Sequence, residues 1–226
     1  SLHNKDLEFL NRMIGNASVV FIDEGQKIGS IGQTVKLLVD YWKEKKQVFV
    51  TGSSSFNLLE KTEEPLTGRK WVFTLYPLAV EEIFPKKDIL KFQKELETLL
   101  IFGSYPEIVS AASWDEKKAR LKEIAQSYLF KDILELYSVK GSEFLENLLR
   151  ALAFQIGSPV SSAELASLIG VNKNTVDRYL HILEENHIIF KLPAFFKNHR
   201  REIVKRKKIY FWDLGIRNSI LDQFGN

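Results

Sequence analysis

The chain has 226 residues, 45% hydrophobic and 27% charged, with a formal net charge of +3, the composition of an ordinary soluble protein with apolar material for one large domain or two small ones. It holds no cysteine, which excludes disulfides, zinc–thiolate sites, iron–sulfur clusters and cysteine nucleophiles. No stretch approaches the roughly 18 continuous apolar residues of a membrane span, and SLHNKDLEFL lacks the basic-then-apolar order of a signal peptide, so the expected compartment is the cytoplasm, with no membrane partner.

In chain order, Leu2, Leu7, Leu10 and Ile14 recur at helical intervals and stop at Gly15, predicting a helix and a turn. SVVFID, 18–23, reads as a fully buried strand. Val35, Leu38, Val39 and Trp42 share one face of a helix over 31–46, and QVFVTGSSS, 47–55, is a second buried strand running into a glycine and three serines. A helix from Ser55 to Glu60, a polar loop through Pro65 and a third strand in KWVFTLYPL, 70–78, follow. Two continuous apolar strands separated by one helix predict a parallel sheet covered on both faces. After Pro85 the period is helical over 87–101, 115–139, 142–156, 161–169 and 172–186. Only HIIFKLP, 187–193, and KKIYFWD, 207–213, then read as strands. The boundary between the α/β part and the helical part is expected within 84–115.

The charge is unevenly spread. Residues 1–115 hold 14 Lys/Arg and 16 Asp/Glu, and residues 116–226 hold 18 and 13. KNHRREIVKRKK, 197–208, accounts for the asymmetry, with seven basic residues against Glu202 alone. Such a segment is either a nucleic-acid contact or a solvated basic loop.

Two adjacent acids, Asp23 and Glu24, end the first strand. Acids there serve either as turn formers and caps, or as the second nucleotide motif of a P-loop ATPase, the first holding Mg²⁺ through water and the second accepting a proton from the attacking water. At the end of the next strand, Thr51, Ser53, Ser54 and Ser55 offer hydroxyls that suit a terminal phosphate or a helix cap equally. Arg69 follows a glycine just before the third strand, where its guanidinium can neutralise a transferring phosphate or stand as a surface arginine in a turn.

In this order, VVFIDEGQK, VFVTGSSSFNLL, PLTGRKWVFTLYPLAVEEIF, FGSYPEIV, SYLFKDILEL and KIYFWDLGIRNSIL resemble a widespread prokaryotic family of AAA+ ATPases that carry a second domain of unknown function after the ATPase core. The resemblance runs along nearly the whole chain. It implies that Asp23 and Glu24 are the Walker B pair, with Asp23 on the metal, that Ser53 or Ser54 is the sensor of the next strand, and that Arg69 is the arginine of a Gly-Arg element. It implies ATP and Mg²⁺ as cofactors of the parent protein, and homo-oligomers as assemblies. One departure stands out: no glycine is followed by Lys-Ser or Lys-Thr, so the phosphate-binding loop G-x-x-x-x-G-K-[ST] is missing. The expectation is a fragment or truncated relative that neither holds nor hydrolyses ATP alone, with dimerisation or strand exchange across the gap in its sheet, or else local disorder near 60–75.

SPVSSAELASLIGVNKNTVDRYLHILEENHIIFKLP, 158–193, has the spacing of a helix-turn-helix. Ser161 or Ser162 caps one helix, Gly170 turns the chain and Asn172 starts a second with Val176, Leu180 and Leu183 inward. The strand pair that follows would make it a winged helix. Lys173, Asn174 and Arg178 then lie on the exposed front of the second helix, and Arg200, Arg201, Lys205 and Arg206 in the wing, the residues that would meet DNA. A docking module or intramolecular lid is the alternative. The fold expected is α/β followed by mainly α: a partial P-loop core of three parallel strands over 1–84, a helical lid or linker over 85–140 and a winged-helix-like domain over 141–226. Two functional readings remain, a AAA+ fragment driving a winged helix, and a winged-helix DNA-binding or regulatory module on a degenerate, non-catalytic α/β platform. His3, His181, His187 and His199 show no metal-ligand spacing and read as surface or packing residues, and Asp213 and Arg217, four apart, as an ion pair or cap.

Overall fold

A computed structural model describes residues 7–52, 68–84, 89–126, 142–195 and 206–225. The chain divides into two compact units, Ser1–Thr74 and Leu75–Asn226. The helix expected over 55–60 lies outside the described residues, as do Ser53, Ser54, Arg200, Arg201 and Lys205.

In the first unit, helix α1 (Leu7–Ile14), strand β1 (Val19–Ile22), helix α2 (Ile31–Trp42) and strand β2 (Gln47–Val50) follow one another. The strands pair in parallel, Val19 opposite Gln47 and Ile22 opposite Val50, the arrangement that a strand–helix–strand connection favours. Strand residues alternate sides. Val20, Ile22, Val48 and Val50 meet Ile31 and Val35 of α2, and Leu10 of α1 packs with Leu38 and Trp42 beside the same Val20 and Val48. Both helices therefore lie on one side of the sheet. Val19, Phe21 and Phe49 on the other side are at least half exposed, which corrects the expectation of strands buried on both faces.

The third strand does not form. Residues 70–78 carry no strand assignment, and Trp71, Phe73 and Leu75 are 88%, 82% and 94% exposed. A strand exists by pairing its amides and carbonyls with a neighbour, and β1 and β2 pair only with each other among the described residues. The expected three-strand core is a two-strand sheet.

The second unit contains α3 (Val80–Ile83), α4 (Ile89–Phe102), α5 (Pro106–Ser110), α6 (Trp114–Ile124), α7 (Ser142–Phe154), α8 (Ser162–Ile169), α9 (Lys173–Glu185), β3 (Ile189–Leu192), β4 (Lys208–Phe211) and α10 (Leu214–Leu221). Its core is continuous. Leu145, Leu148, Leu149 and Leu152 of α7, at helical spacing, pack in one cluster with Leu121, Leu165, Val176, Leu183, Ile189, Ile209 and Ile216. Helix α5 falls where a break was expected, started by Pro106 in the first turn, where its missing N–H costs nothing. Strands β3 and β4 pair antiparallel. No helix among the described residues is long and apolar enough to cross a membrane.

Candidate functional site

The acids lie just past β1, where the chain turns. One rung beyond the strands, Thr51 N–H donates to the Ile22 carbonyl at 2.9 Å and Gly25 N–H to the Thr51 carbonyl at 2.8 Å. That rung sets Thr51 beside Asp23. Thr51 Oγ1 donates to Asp23 Oδ1 at 2.5 Å, and Glu24 N–H donates to the same oxygen at 3.0 Å. Glu24 sits at φ 53°, ψ 42°, the left-handed region that costs a non-glycine residue about 1–2 kcal/mol, and its Oε2 is 3.2 Å from Lys27 Nζ. The result is two exposed carboxylates at the carboxyl edge of a parallel sheet, where open α/β sheets bind ligands.

Such a pair suits a divalent cation held through water. Among the described residues no three or more His, Cys, Asp or Glu side chains gather in a group that could hold a metal ion. Arg69, turned out after Gly68 at φ 74°, forms an ion pair with Asp40 of α2. Its guanidinium is thus engaged by Asp40, and Thr51 is the hydroxyl placed on Asp23. The sequence offered Thr51 as one of several hydroxyls, but which one meets the acid depends on the strand register.

In the second unit, α8 and α9 are joined by a tight turn. Ser161 Oγ accepts from Glu164 N–H at 3.4 Å at the start of α8, Gly170 at φ 79° ends it, and Asn172 Oδ1 accepts from Thr175 N–H at 2.8 Å to start α9. Val176, Leu180 and Leu183 point inward, and Lys173, Asn174, Asp177 and Arg178 are exposed. Lys173 Nζ lies 3.6 Å from Asp177 Oδ2, and Arg206 pairs with Glu164 of α8 at 3.0 Å. Along KNTVDRYLHILEE, two cations stand against three carboxylates. His187, left-handed at φ 54°, closes α9 as Ile188 N–H reaches back to the Leu183 carbonyl at 3.0 Å. Its Nε2 is buried with no hydrogen-bond partner among the described residues, and burial holds its pKa below the ordinary value.

Asp213 is the buried carboxylate of this unit. It caps α10 by accepting from Ile216 N–H at 3.1 Å and also accepts from Ser104 N–H at 2.7 Å. Burial pushes its pKa up, against the pull of the amides of Ser104, Ile216 and Gly215. A Cβ on Gly103 would stand 2.0 Å from Asp213 Oδ1, and one on Gly215 2.0 Å from the Phe102 carbonyl oxygen, so both positions require glycine. Arg217 does not pair with Asp213; its Nε donates to the Ala153 carbonyl at 3.0 Å and its Nη1 to Asn218 Oδ1 at 2.8 Å. Asn218 Nδ2 in turn donates to the carbonyls of Leu100 and Ile101 at 3.1 and 2.8 Å. Helix α10 thereby satisfies end carbonyls of both α4 and α7.

Residues 93–226, more than half of the chain, match the family described as a domain of unknown function, DUF8612. The chain belongs to this family. Residues 2–84 match the family described as an AAA domain, so an N-terminal AAA domain of the P-loop NTPase superfamily precedes the DUF8612 domain. The chain is similar to the uncharacterized protein MJ1544 of Methanocaldococcus jannaschii, 24% identical over 216 residues covering 88% of this chain and 48% of the relative. It is also similar to the uncharacterized proteins Mb2031c of Mycobacterium bovis and Rv2008c of Mycobacterium tuberculosis, each 25% identical over 207 residues covering 92% of this chain and 45% of the relative. The chain spans about half the length of these curated relatives. No solved structure matches it.

Proposed function

We propose that the AAA domain of this chain supplies the acidic half of a Mg-ATP site, and that the nucleotide state of the whole protein drives the DUF8612 domain. The observation that carries this reading is the Asp23–Glu24 pair at the carboxyl edge of a parallel sheet, with Thr51 Oγ1 on Asp23. Bound ATP would supply the phosphoryl group and Mg²⁺ its charge neutralisation. Asp23 would hold water on the metal, its Oδ1 steadied by Thr51, and Glu24 would take the proton of the attacking water. Ser53 or Ser54 is proposed as the sensor. Arg69 would reach a phosphate only by leaving Asp40. The sequence contains no G-x-x-x-x-G-K-[ST] loop, so the phosphates need a cradle from elsewhere in the whole protein, and this chain by itself neither holds ATP tightly nor hydrolyses it. In a form that includes such a loop, Glu24→Gln is expected to retain ATP while abolishing turnover, because an amide accepts no proton. Undiminished phosphate release from that variant would remove Glu24 from the role of base.

A second reading concerns DNA. The α8–turn–α9 pair followed by the β3–β4 pair has the order of a winged helix, with Lys173, Asn174 and Arg178 exposed on α9 and the basic segment 197–208 between the strands. With carboxylates outnumbering cations along α9, any binding would be led by phosphate contacts from Arg200, Arg201, Lys205 and Arg206 and not by base reading. Replacing those four with Ala is expected to weaken binding uniformly across sequences and to flatten the salt dependence by up to about 0.9 in log K per log salt for each phosphate no longer neutralised. Fluorescence anisotropy with duplex DNA measures this. No binding by the unmodified chain at roughly 50 mM salt would leave α8 and α9 as a protein-docking module.

A further inference from the structure

The C-terminal unit begins at Leu75, and the next three residues are fastened to it at two points. Tyr76 stacks on Trp212 with ring centroids 4.5 Å apart and 25° between planes, and meets His187 edge-on at 5.4 Å. Leu78 N–H donates to the Ser104 carbonyl at 2.9 Å. Ser104 uses both sides of its backbone, because its own N–H donates to Asp213 Oδ2 at 2.7 Å. Trp212 and Asp213 are consecutive, so the ring contact and the amide relay both end on one dipeptide where β4 passes into α10.

That dipeptide is held firmly. Trp212 N–H donates to the Ile188 carbonyl at 3.0 Å and its ring lies 4.9 Å from Phe190, while Asp213 is buried and caps α10. Gly103 carries the turn before Ser104 at φ 74°, with the Asp213 carboxylate where a Cβ would be. The gripped segment is stiff as well. Pro77 lies between the two attachment points, its ring fixing its own φ and confining Tyr76 to extended conformations. Pro77 thereby removes backbone rotations that would otherwise absorb a displacement of Tyr76 before it reaches the Leu78 amide.

The fastening is small by comparison with the core behind it. Tyr76 remains 48% exposed, whereas Phe211 and Ile216 are buried, and one ring stack with one amide bond shifts an opening equilibrium by roughly ten- to a hundredfold. We propose that Tyr76–Pro77–Leu78 is a detachable latch that fastens the chain leaving the first compact unit to the Trp212–Asp213 corner, so that a pull on residues 68–75 is delivered through Ser104 to the β4–α10 junction. This inference stands on the second unit alone and does not require the ATPase reading.

Residue-resolved hydrogen exchange on the full 226-residue chain tests it. Tyr76→Ala removes a half-exposed ring and is expected to raise exchange about tenfold at the Leu78 amide. The Ser104 amide is expected to exchange faster in the same variant, while Leu148 and Leu149 of the core keep their unmodified rates. Tyr76→Phe retains the ring and is expected to retain protection at both amides. Unchanged exchange at Leu78 or at Ser104 in Tyr76→Ala would overturn the proposal, as would an equal rise at Leu148 and Leu149, which would make Tyr76 a general packing residue.

Discussion

Asp213 shows how much a single carboxylate can organise when it is removed from water. Its oxygens take backbone amides from two distant stretches of chain, and Gly103 and Gly215 leave the room. Asp213→Ala strands those buried donors and is expected to cost about 1–3 kcal/mol, measured by chemical denaturation at neutral pH. Asp213→Asn keeps an acceptor and is expected to cost less. The pH dependence has a definite sign. Burial raises the folded-state pKa above the ordinary 3.8, so the stabilising contribution of the protonated form is complete below that value and is lost as pH rises through the folded value. Asp213→Asn is expected to remove this fall; a variant that loses stability over the same interval would contradict it. Of the two readings that WDLGIRNSIL left open for Asp213, an ion pair with Arg217 or a cap, the structure shows the cap, on a helix that was not itself expected. The contact with Ser104, 109 positions away, left no local signal beyond the glycines of FGSYPE and WDLG.

Among the elements, the helices with strong periodic faces were the most legible: Val35, Leu38 and Trp42 on α2, and the caps Ser161, Gly170 and Asn172 around α8 and α9. Burial of the strands was less so. An apolar run states that a strand can be covered on both faces, but whether helices occupy both sides is decided by the rest of the fold, and α1 and α2 take the same side. Val19, Phe21 and Phe49 on the open face, with Trp71, Phe73 and Leu75 in the following segment, are exposed, and among the described residues this apolar strand-forming surface has no partner, a state that folded proteins avoid. The chain is expected to self-associate as concentration rises, and Phe73→Lys with Leu75→Glu to suppress it. Light scattering that gives the monomer mass for the unmodified chain throughout the micromolar range would contradict this expectation.

For the molecule as a whole, the chain divides into two compact units at Thr74–Leu75, so the last ten residues of the AAA match, 75–84, fall in the same unit as the DUF8612 match over 93–226. The position of Asp23 and Glu24 at the carboxyl edge of β1 was legible because two adjacent charges at the end of an apolar strand need a reason. Arg69 was not, since its engagement by Asp40 depends on where the chain returns after 53–67 and not on the Gly-Arg pair itself. The central claim is that Asp23 and Glu24 serve a phosphate-bound Mg²⁺ whose cradle this sequence does not contain. Isothermal titration of Mg-ATP tests it most directly, with this chain compared with a form extended to include a G-x-x-x-x-G-K-[ST] loop. The expected result is no measurable binding to the chain, and binding to the extended form that is weakened by Asp23→Asn. Low-micromolar affinity in the unextended chain, or undiminished binding in the extended Asp23→Asn variant, would contradict it.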